Sequence, residues 1–403
     1  MNKIFGLDTL MAIKGLTSNE AFQVYYNDIL ASRESEGLNL SGFERWDIPQ
    51  VDFTYEQLEL ENDIKVMATY VDLNSEAIPI GNKVGSILRG SIPRQKARFI
   101  IGENDYRKQM MLIERLNTAA RLTGSDSSES VAAMLTKLLF GGLTDLQDAH
   151  IGSLNYQVGQ MKSAGAVTLT DANNPRGIQN VTFSAQVPTE NVTTLTTTKR
   201  WFTDAAKATE GTACNPTQDI KDLISKAKER YDDVVLEVDE KSFLEDMKHS
   251  KWQIALGYII MPTLLAGGKD ATTDASAMAV TNASSDDVIK NAFIKFCGVP
   301  VEFSKTVCGI EKWDTGSKSL KREKLRAFNA DTYLARPAGE IGTMKNVTPL
   351  RPDSSAISAL IFGNRGIIEY RYDAKHKVQD WASELTALAV PSRPKDMFRL
   401  KTK

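Results

Sequence analysis

The stretch that decides the fold runs from Met67 to Leu122 and reads MATYVDLNSEAIPIGNKVGSILRGSIPRQKARFIIGENDYRKQMMLIERLNTAARL. Two extended runs, Ile64 to Leu73 and Ser86 to Ile101, flank a segment that contains the turn residues Gly81 and Asn82. The pattern predicts a long projecting β-hairpin that leads directly into an amphipathic helix. Because an isolated two-stranded ribbon is only marginally stable in water, this hairpin needs a partner surface.

Charge is segregated along this part of the chain. The segment from Glu34 to Asp63 has nine carboxylates against the single Arg45, whereas seven basic residues lie between Lys83 and Lys108. We expect basic residues of the hairpin to meet acidic residues of a neighbouring subunit, with a solvated surface as the alternative. The charged contact candidates are Glu56, Glu59, Glu61, Arg89, Arg94, Lys96 and Arg98.

The acidic segment also contains large aromatic residues at wide spacing, among them Phe43 and Trp46. Aromatic anchors on a polar arm are typical of interfaces. We therefore predict that the arm lies across another subunit and that Phe43 and Trp46 are contact residues. The alternative is a loop that packs on its own domain.

Composition restricts the class of protein. The chain has 403 residues, which favours two or three subdomains, and its net charge of −2 excludes a histone-like binder of polyanions. Cys214, Cys297 and Cys308 lack metal-site spacing and a neighbouring histidine in sequence, and are predicted to be small buried hydrophobic residues. With no signal-peptide pattern and no apolar run of ~20 residues, we expect an intracellular, soluble chain.

Periodicity predicts the remaining elements in outline. Helical patterns cover a short segment ending at Ala31, the amphipathic segment after Asn104, and 143–162, 217–227, 240–247 and 286–296. Gly165 is predicted to stop the helix at 143–162, and Asp239 is predicted to cap the helix at 240–247. Strand patterns cover 166–170, 179–184, 192–198, 233–238, 299–303, 327–335, 360–372 and 384–391. Gly267 to Ser285 is predicted to be a loop, and the chain closes with a basic tail that includes Arg399.

Catalytic motifs are missing from the sequence. The three histidines, His150, His249 and His376, are far apart and lie in unrelated patterns, and His150 is predicted to be a satisfied core residue on an apolar helix face. The sequence contains no nucleophile elbow, no zinc-binding helix and no phosphate-binding loop. We therefore predict a protein without catalytic residues, cofactor or metal.

The order of these elements resembles the major capsid proteins of tailed bacteriophages, most closely the lambda-type capsid protein E group. The resemblance depends on short motifs whose order extends over residues 40–400. These are MATYVDLNS from Met67, IPRQKAR from Ile92, DVVLEV from Asp233, GVPVE from Gly298, YLARPAGEIG from Tyr333 and ALAVP from Ala387.

This resemblance implies an α+β fold, the tailed-phage major capsid fold, with an N-terminal arm at 1–66 and an extended β-hairpin loop at 67–103. It further implies a peripheral domain with a spine helix at 104–215 and an α/β axial domain at 216–370. Residues 371–403 would supply a return strand to the peripheral domain and the basic tail.

The implied function is structural. Copies of the chain would assemble through hexamers and pentamers into an icosahedral shell, made in the bacterial host cytoplasm and enclosing double-stranded DNA in the virion. Scaffolding, portal and decoration proteins are the implied partners, DNA contact would be non-specific, and no membrane is involved. The alternatives are an encapsulin-type shell that stores cargo and, in a different class, an α/β enzyme with an unrecognised site.

Overall fold

A computed structural model describes residues 30–58, 87–102, 128–204, 206–350, 358–373 and 378–403, with scattered positions from 104 to 118. Residues 30–37 are helical, whereas the first predicted helix, which ends at Ala31, lies almost entirely outside the described residues. The described positions between 104 and 118 are also helical, as predicted. The predicted outgoing strand Ile64 to Leu73 and the contact candidates Glu59 and Glu61 lie outside the described residues.

Apart from the helical positions just given, the helices and strands of the described ranges are numbered here in chain order. The helices are α1 Ser128–Ser163, α2 Pro216–Lys228, α3 Glu240–Asp246, α4 Ser250–Ile260, α5 Ala271–Ala283 and α6 Asp286–Cys297. The first eight strands are β1 Thr54–Leu58, β2 Ile87–Ser91, β3 Arg94–Ile101, β4 Ala166–Leu169, β5 Val181–Ser184, β6 Val192–Thr194, β7 Val234–Asp239 and β8 Val301–Ser304. The others are β9 Val307–Asp314, β10 Ser319–Arg326, β11 Thr332–Pro337, β12 Gly342–Asn346, β13 Ser358–Ile361, β14 Gly366–Asp373, β15 Val378–Pro391 and β16 Phe398–Lys401.

Helix α1 spans 36 residues and begins at Ser128, so the predicted start of this helix near Leu143 is wrong. Gly142 lies inside the helix because strand β3 crosses it there, and a Cβ at this position would collide with the Phe99 ring. The helix stops as predicted at Gly165, whose φ of +75° is readily adopted by glycine.

The first sheet packs on α1. Its strand order is β12-β15-β14-β13, and β3 pairs with β15 as well, always antiparallel. Leu146, Leu154 and Val158 of the helix share one hydrophobic core with Trp381 and Leu385 of β15. The predicted strand at 384–391 is therefore confirmed as the centre of this sheet.

The second sheet has the order β6-β16-β11-β7-β8 and separates two environments. Because successive side chains of a strand point to opposite faces, Leu236, Val238 and Tyr333 share one face and belong to a second core with helices α2, α3, α4 and α6. The other face presents Glu237 and Arg336 toward the C-terminal end of α1. This sheet therefore has an apolar face and a buried polar face.

The second core is rich in aromatic rings. Trp252 lies 6.0 Å from Trp201 and 5.3 Å from Phe293 between ring centroids, and both pairs have an edge-to-face geometry. Phe243 approaches Phe293 in the same way at 4.8 Å. Such pairs add about 0.5–1.5 kcal/mol each beyond the burial of their area.

Helix α5 contradicts the predicted loop from Gly267 to Ser285. Asp270 caps it, accepting a hydrogen bond from the Thr273 amide at 2.7 Å, while the Thr273 hydroxyl accepts one from the Asp270 amide at 2.9 Å. Its many small residues allow close packing on α4, where Ala277 lies so near Gly257 that a Cβ at Gly257 would collide with it. The small residues that led to the prediction of a loop are instead those that allow two helices to pack closely.

Several strands differ from the predictions. The segment at 360–372 forms two strands, β13 and β14, because Phe362 and Asn364 adopt positive φ in a turn between them. Strand β11 begins at Thr332 rather than at residue 327. Strand β1 lies in a segment predicted to be irregular, and the β9–β10 hairpin was missed although the turn-like DTGSK sequence from Asp314 separates its strands.

The C-terminal tail also differs from its prediction. Residues 398–401 form β16 between β6 and β11 of the second sheet, and Arg399 is completely buried. After β3, the chain returns to the first sheet with β12 at Gly342 and leaves it after Pro391. The first sheet therefore combines strands from distant parts of the chain.

Candidate assembly surface

The described part of the acidic arm lies on its own domain. Phe43 is completely buried in the first core, and Trp46 packs against that core while pairing through its backbone with Met344. The Arg365 guanidinium lies 5.0 Å from the centroid of the Trp46 ring, a cation–π arrangement. Phe43 is thus packed on its own domain, as the alternative interpretation of the arm predicted.

Beyond Trp46 the arm follows the edge of β12 and then exposes apolar side chains. The Gln50 amide donates to the Asn346 carbonyl at 3.0 Å, and the Thr348 amide donates to the Gln50 carbonyl at 2.7 Å. We call the exposed apolar residues around this crossing the arm patch. They are Ile48 and Val51, both 89% exposed, Phe53 at 46% and Leu350 at 80%.

The arm continues into a ribbon formed by β1 and β2. Glu56 and Arg89 are cross-strand partners, with 2.8 Å between Oε1 and Nε, and both are exposed. The ribbon is fixed at its base because Tyr55 is buried over Gly90 and the Gln57 amide donates to the Ser392 hydroxyl at 2.8 Å. Two predicted contact residues of opposite charge therefore meet within one subunit.

The basic strand β3 is paired with acidic residues of β15. The Arg94 Nε donates to Glu384 Oε1 at 2.6 Å, and Lys96 Nζ lies 3.7 Å from the same carboxylate. The Arg98 Nε donates to Asp380 Oδ1 at 2.7 Å. Inside the subunit, these three predicted contact residues therefore meet carboxylates of β15. The prediction paired them with the acidic arm of a neighbouring subunit.

A buried ionic network joins α1 to the second sheet. Lys162 Nζ lies 3.0 Å from Glu237 Oε1, and Arg336 Nε lies 2.9 Å from the other oxygen of Glu237. Arg336 also reaches Glu302 at 2.6 Å and donates to the hydroxyl of Ser41 in the arm at 3.3 Å. Burial lowers the pKa of Lys162, while the two carboxylates outweigh burial and raise the pKa of Arg336.

Arg399 closes the end of α1. Its guanidinium donates to the carbonyl oxygens of Lys162 at 2.7 Å and Met161 at 2.9 Å, which otherwise lack an intrahelical donor at a helix C-terminus. Burial lowers the pKa of Arg399 to about 10, so the side chain stays charged at neutral pH and complements the helix dipole. Arg399, which belongs to the predicted basic tail, is therefore a cap on helix α1.

A second buried network lies on the other side of the second sheet. Lys207 Nζ is 2.6 Å from Asp246 Oδ1 and 2.6 Å from Asp331 Oδ1, and the Tyr333 hydroxyl donates to Asp246 at 2.9 Å. Burial raises the pKa of Asp246 to about 6, against the lowering influence of Lys207. These contacts connect the 200–210 segment to α3 and β11.

His150 is the satisfied core histidine that its position predicted. Its Nε2 lies 2.9 Å from the Ser383 hydroxyl, and its Nδ1 lies 3.4 Å from Gln95 Oε1, which can only accept. Burial lowers the pKa of His150 to about 4.

The cysteines are buried as predicted, but the prediction that none has a histidine partner is wrong for Cys214. Its Sγ lies 3.1 Å from His249 Nε2 and donates to the Gly211 carbonyl at 2.9 Å. The His249 Nδ1 accepts a hydrogen bond from the Lys251 amide, so the proton of the neutral ring is on Nε2 and points at the sulfur. His249 therefore cannot act as a base toward Cys214. Burial raises the pKa of all three thiols, to about 11 for Cys308, and keeps them protonated.

Neither a metal site nor a membrane-spanning helix is found in the described ranges. No three His, Cys, Asp or Glu side chains within them are grouped so that they could hold an ion. Likewise, none of the helices in those ranges is long and apolar enough to cross a bilayer.

The sequence matches no known protein-family model and no curated protein. Solved structures similar to the chain include a putative capsid protein of a prophage from E. coli CFT073, with 9% identity, a TM-score of 0.43 and 99% of each chain covered. A phage-related protein from Bordetella bronchiseptica RB50 has 9% identity and a TM-score of 0.41, covering 93% of this chain and 96% of its own. An encapsulin from Synechococcus elongatus PCC 7942 has 8% identity and a TM-score of 0.35, covering 89% and 85%.

Proposed function

We propose that this chain is a major capsid protein that assembles through hexameric and pentameric capsomers into an icosahedral shell around the double-stranded DNA of a tailed phage. The observation that carries the proposal is an exposed apolar surface on a chain with two well-packed cores. Ile48, Val51 and Leu350 remain uncovered beside a ribbon that is fixed at its base. Exposed contiguous apolar surface marks sites of protein association.

The arrangement of elements supports the same function. An arm, a two-stranded ribbon and a 36-residue helix precede a sheet that is completed by the late strand β15, and a second sheet with helices is inserted between them. This is the α+β order that the sequence resemblance to tailed-phage capsid proteins implies. Fold alone does not fix function, so the exposed surface is needed as an independent argument.

The chain would act by contact with copies of itself rather than by catalysis. Many modest contacts repeated around each subunit can hold a shell together, because apolar burial stabilises by about 25 cal/mol per Å² before association costs. In this proposal the shell forms in the bacterial host cytoplasm, with scaffolding, portal and decoration proteins as further partners. Contact with the packaged DNA would be non-specific.

The charged contact candidates need a refined test because five of them, Glu56, Arg89, Arg94, Lys96 and Arg98, have internal partners. Changing Arg94, Lys96 and Arg98 together to Glu should give folded subunits that assemble poorly, and Lys at Glu56, Glu59 and Glu61 should restore some assembly. The reversal also places like charges opposite β15. Adding Asp380→Asn and Glu384→Gln relieves that repulsion, so a defect that persists in this background belongs to the contact between subunits.

The function is tested by electron microscopy and sedimentation of the purified chain, alone and with its own phage proteins. Closed shells of uniform size that contain DNA when isolated from phage-producing cells are expected. Shells that contain enzyme cargo and lack DNA would indicate an encapsulin instead. A chain that remains monomeric at high concentration under all these conditions would refute a shell-forming role.

A further inference from the structure

The β9–β10 hairpin has two different faces. Trp313 and Leu320 are direct cross-strand partners, so they lie on the same face, which Val307 and Lys324 share by the two-residue period. Trp313 is 56% exposed, and Val307 and Leu320 are each 45% exposed. We call this surface the outer hairpin face.

The opposite face of the hairpin is attached to the body of the subunit. Cys308 is buried there and its Sγ donates to the Gly152 carbonyl of α1 at 3.1 Å. On the same face Lys312 lies 3.6 Å from Asp171. Glu311 belongs to the outer face by the two-residue period, and there Arg176 lies 3.7 Å from it. The hairpin is therefore held mainly on the Cys308 side, and Trp313 stays exposed on the outer face.

Charges on the hairpin and on the arm are opposite in sign. The range 307–326 has six basic and three acidic residues, whereas 34–56 has six acidic residues and one basic residue. Lys318 and Lys324 of the hairpin and Glu44 and Asp52 of the arm are exposed. Within the part of the chain that the structure describes, no ion pair engages any of these four residues.

We propose that the outer hairpin face docks on the arm patch of a second copy of this chain. Trp313 and Leu320 cover Ile48, Val51 and Leu350, while the hairpin lysines face the arm carboxylates. Opposite charge at the rim favours this pairing over hairpin-to-hairpin or arm-to-arm contacts, which would bring like charges together.

The geometry of this contact deepens the proposed function, on which it rests. Each copy contributes a hairpin to one neighbour and an arm to another, so the contact is heterologous and can close into a ring. The contact uses two different surfaces of one chain. All five apolar residues involved are already exposed in the single subunit, so docking requires no change in either core. The hairpin would then be a contact between subunits within a capsomer.

The first experiment removes the apolar part of the outer face. The variant Trp313→Ala with Leu320→Ala is compared with Leu265→Ala with Val288→Ala, which truncates two apolar residues of similar exposure elsewhere. Assembly is followed by light scattering, and folding by circular dichroism. We expect the hairpin variant to fold normally and assemble at least about 10-fold more slowly, which corresponds to about 1.4 kcal/mol, while the control assembles like the wild type.

The second experiment uses the wild-type chain. Assembled particles made from a mixture of ¹⁴N- and ¹⁵N-labelled subunits are treated with a carbodiimide, which joins a lysine to a carboxylate in direct contact. Mixed-isotope links from Lys318 or Lys324 to Glu44 or Asp52 are expected on mass spectrometry.

The possible results separate the two proposals. Shells that form normally, with a hairpin variant that assembles like the control and hairpin lysines linked only to other residues, would overturn the docking but not the shell-forming role. A chain that never associates would overturn both.

Discussion

Two short basic strands look alike in sequence but lie in opposite environments, one at the surface and one buried. Strand β3 begins RQKARF at Arg94 and β16 reads FRLK from Phe398, so both alternate cationic with other residues. In β3 the cations face outward and pair with carboxylates near water, whereas in β16 Arg399 is buried against the end of α1. The surroundings make the difference, because β16 lies between β6 and β11, with the second core on one face and the end of α1 on the other. The buried charge of Arg399 therefore contributes to folding, whereas the cations of β3 remain on the surface of the subunit.

The comparison is tested most strongly at Glu237, the carboxylate between Lys162 and Arg336. The substitution Glu237→Gln leaves two buried cations with only the half-exposed Glu302 as an acidic partner. We expect the free energy of unfolding, measured with urea, to fall by about 3–5 kcal/mol, the usual cost of breaking a buried pair.

Glu302→Gln is the matched control for that measurement. The Glu302 side chain is 46% exposed, so its loss should cost at most about 1 kcal/mol. Equal effects of the two substitutions would show that the junction is solvated and that the contrast between buried and surface charge is wrong.

The next largest effect is expected at Arg399. The substitution Arg399→Met keeps much of the side-chain length but removes the donors to the Met161 and Lys162 carbonyls. Because an unsatisfied buried polar group costs about 1–3 kcal/mol, we expect a loss of about 2–4 kcal/mol by thermal or urea unfolding. Lys403→Ala, an exposed position in the same tail, should leave stability unchanged, and a similar loss at Lys403 would contradict the capping role.

A pH effect of intermediate size is expected from His150, which lies between α1 and the first sheet. The pKa of His150 is about 4 in the folded protein and 6.5 in the unfolded chain, so the unfolded chain binds the proton more tightly. Stability is therefore fully present above pH 6.5 and is lost as the pH falls toward 4. Between pH 7 and pH 5 the contribution of His150 to this loss should be about 2 kcal/mol, seen as the difference between the wild type and a variant that lacks the histidine.

His150→Gln tests the assignment of that pH effect. Glutamine does not titrate, so this variant should lose most of the difference in stability between pH 7 and pH 5, whatever its stability at pH 7. An unchanged difference would place the titrating group at another residue. That residue cannot be Asp246, because its raised pKa favours folding at low pH and acts in the opposite direction.

The smallest effect is expected on the outward side of β3. Arg94→Met makes the same change as Arg399→Met, but the Arg94 side chain is 43% exposed and its pair with Glu384 is accessible to water. We expect a change of less than about 1 kcal/mol in unfolding free energy, reduced further by salt. A loss as large as that of Arg399→Met would remove the distinction between the two strands.

Much of the second core could be predicted from local pattern. The helix at 217–227, the buried strand DVVLEV from Asp233 and the helix at 286–296 each carry a strong apolar period, and Asp239 caps α3 as predicted, accepting from the Ser242 amide at 2.9 Å. The alternating segment ending at Pro391 was similarly clear. These elements depend on side chains that are close in sequence.

The β9–β10 hairpin shows where local pattern failed. Its strands contain charges on both faces, so alternation of apolar and polar residues is weak, and only the turn sequence at Asp314–Lys318 could have indicated it. Consequently the exposed pair Trp313 and Leu320 was missed as a candidate surface. Cys214 and His249 were missed as partners for a related reason, since 35 residues separate them.

The sequence by itself determined the α+β class, the long helix region, the acidic and basic segments and the resemblance to a capsid protein, because each depends on residues near one another in the chain. Tertiary structure alone decided which charges are buried and which are free. Lys162, Glu237, Arg336 and Arg399 converge from a helix and three strands. Burial depends on neighbours brought together by the sheet order, and no spacing along the chain encodes that order.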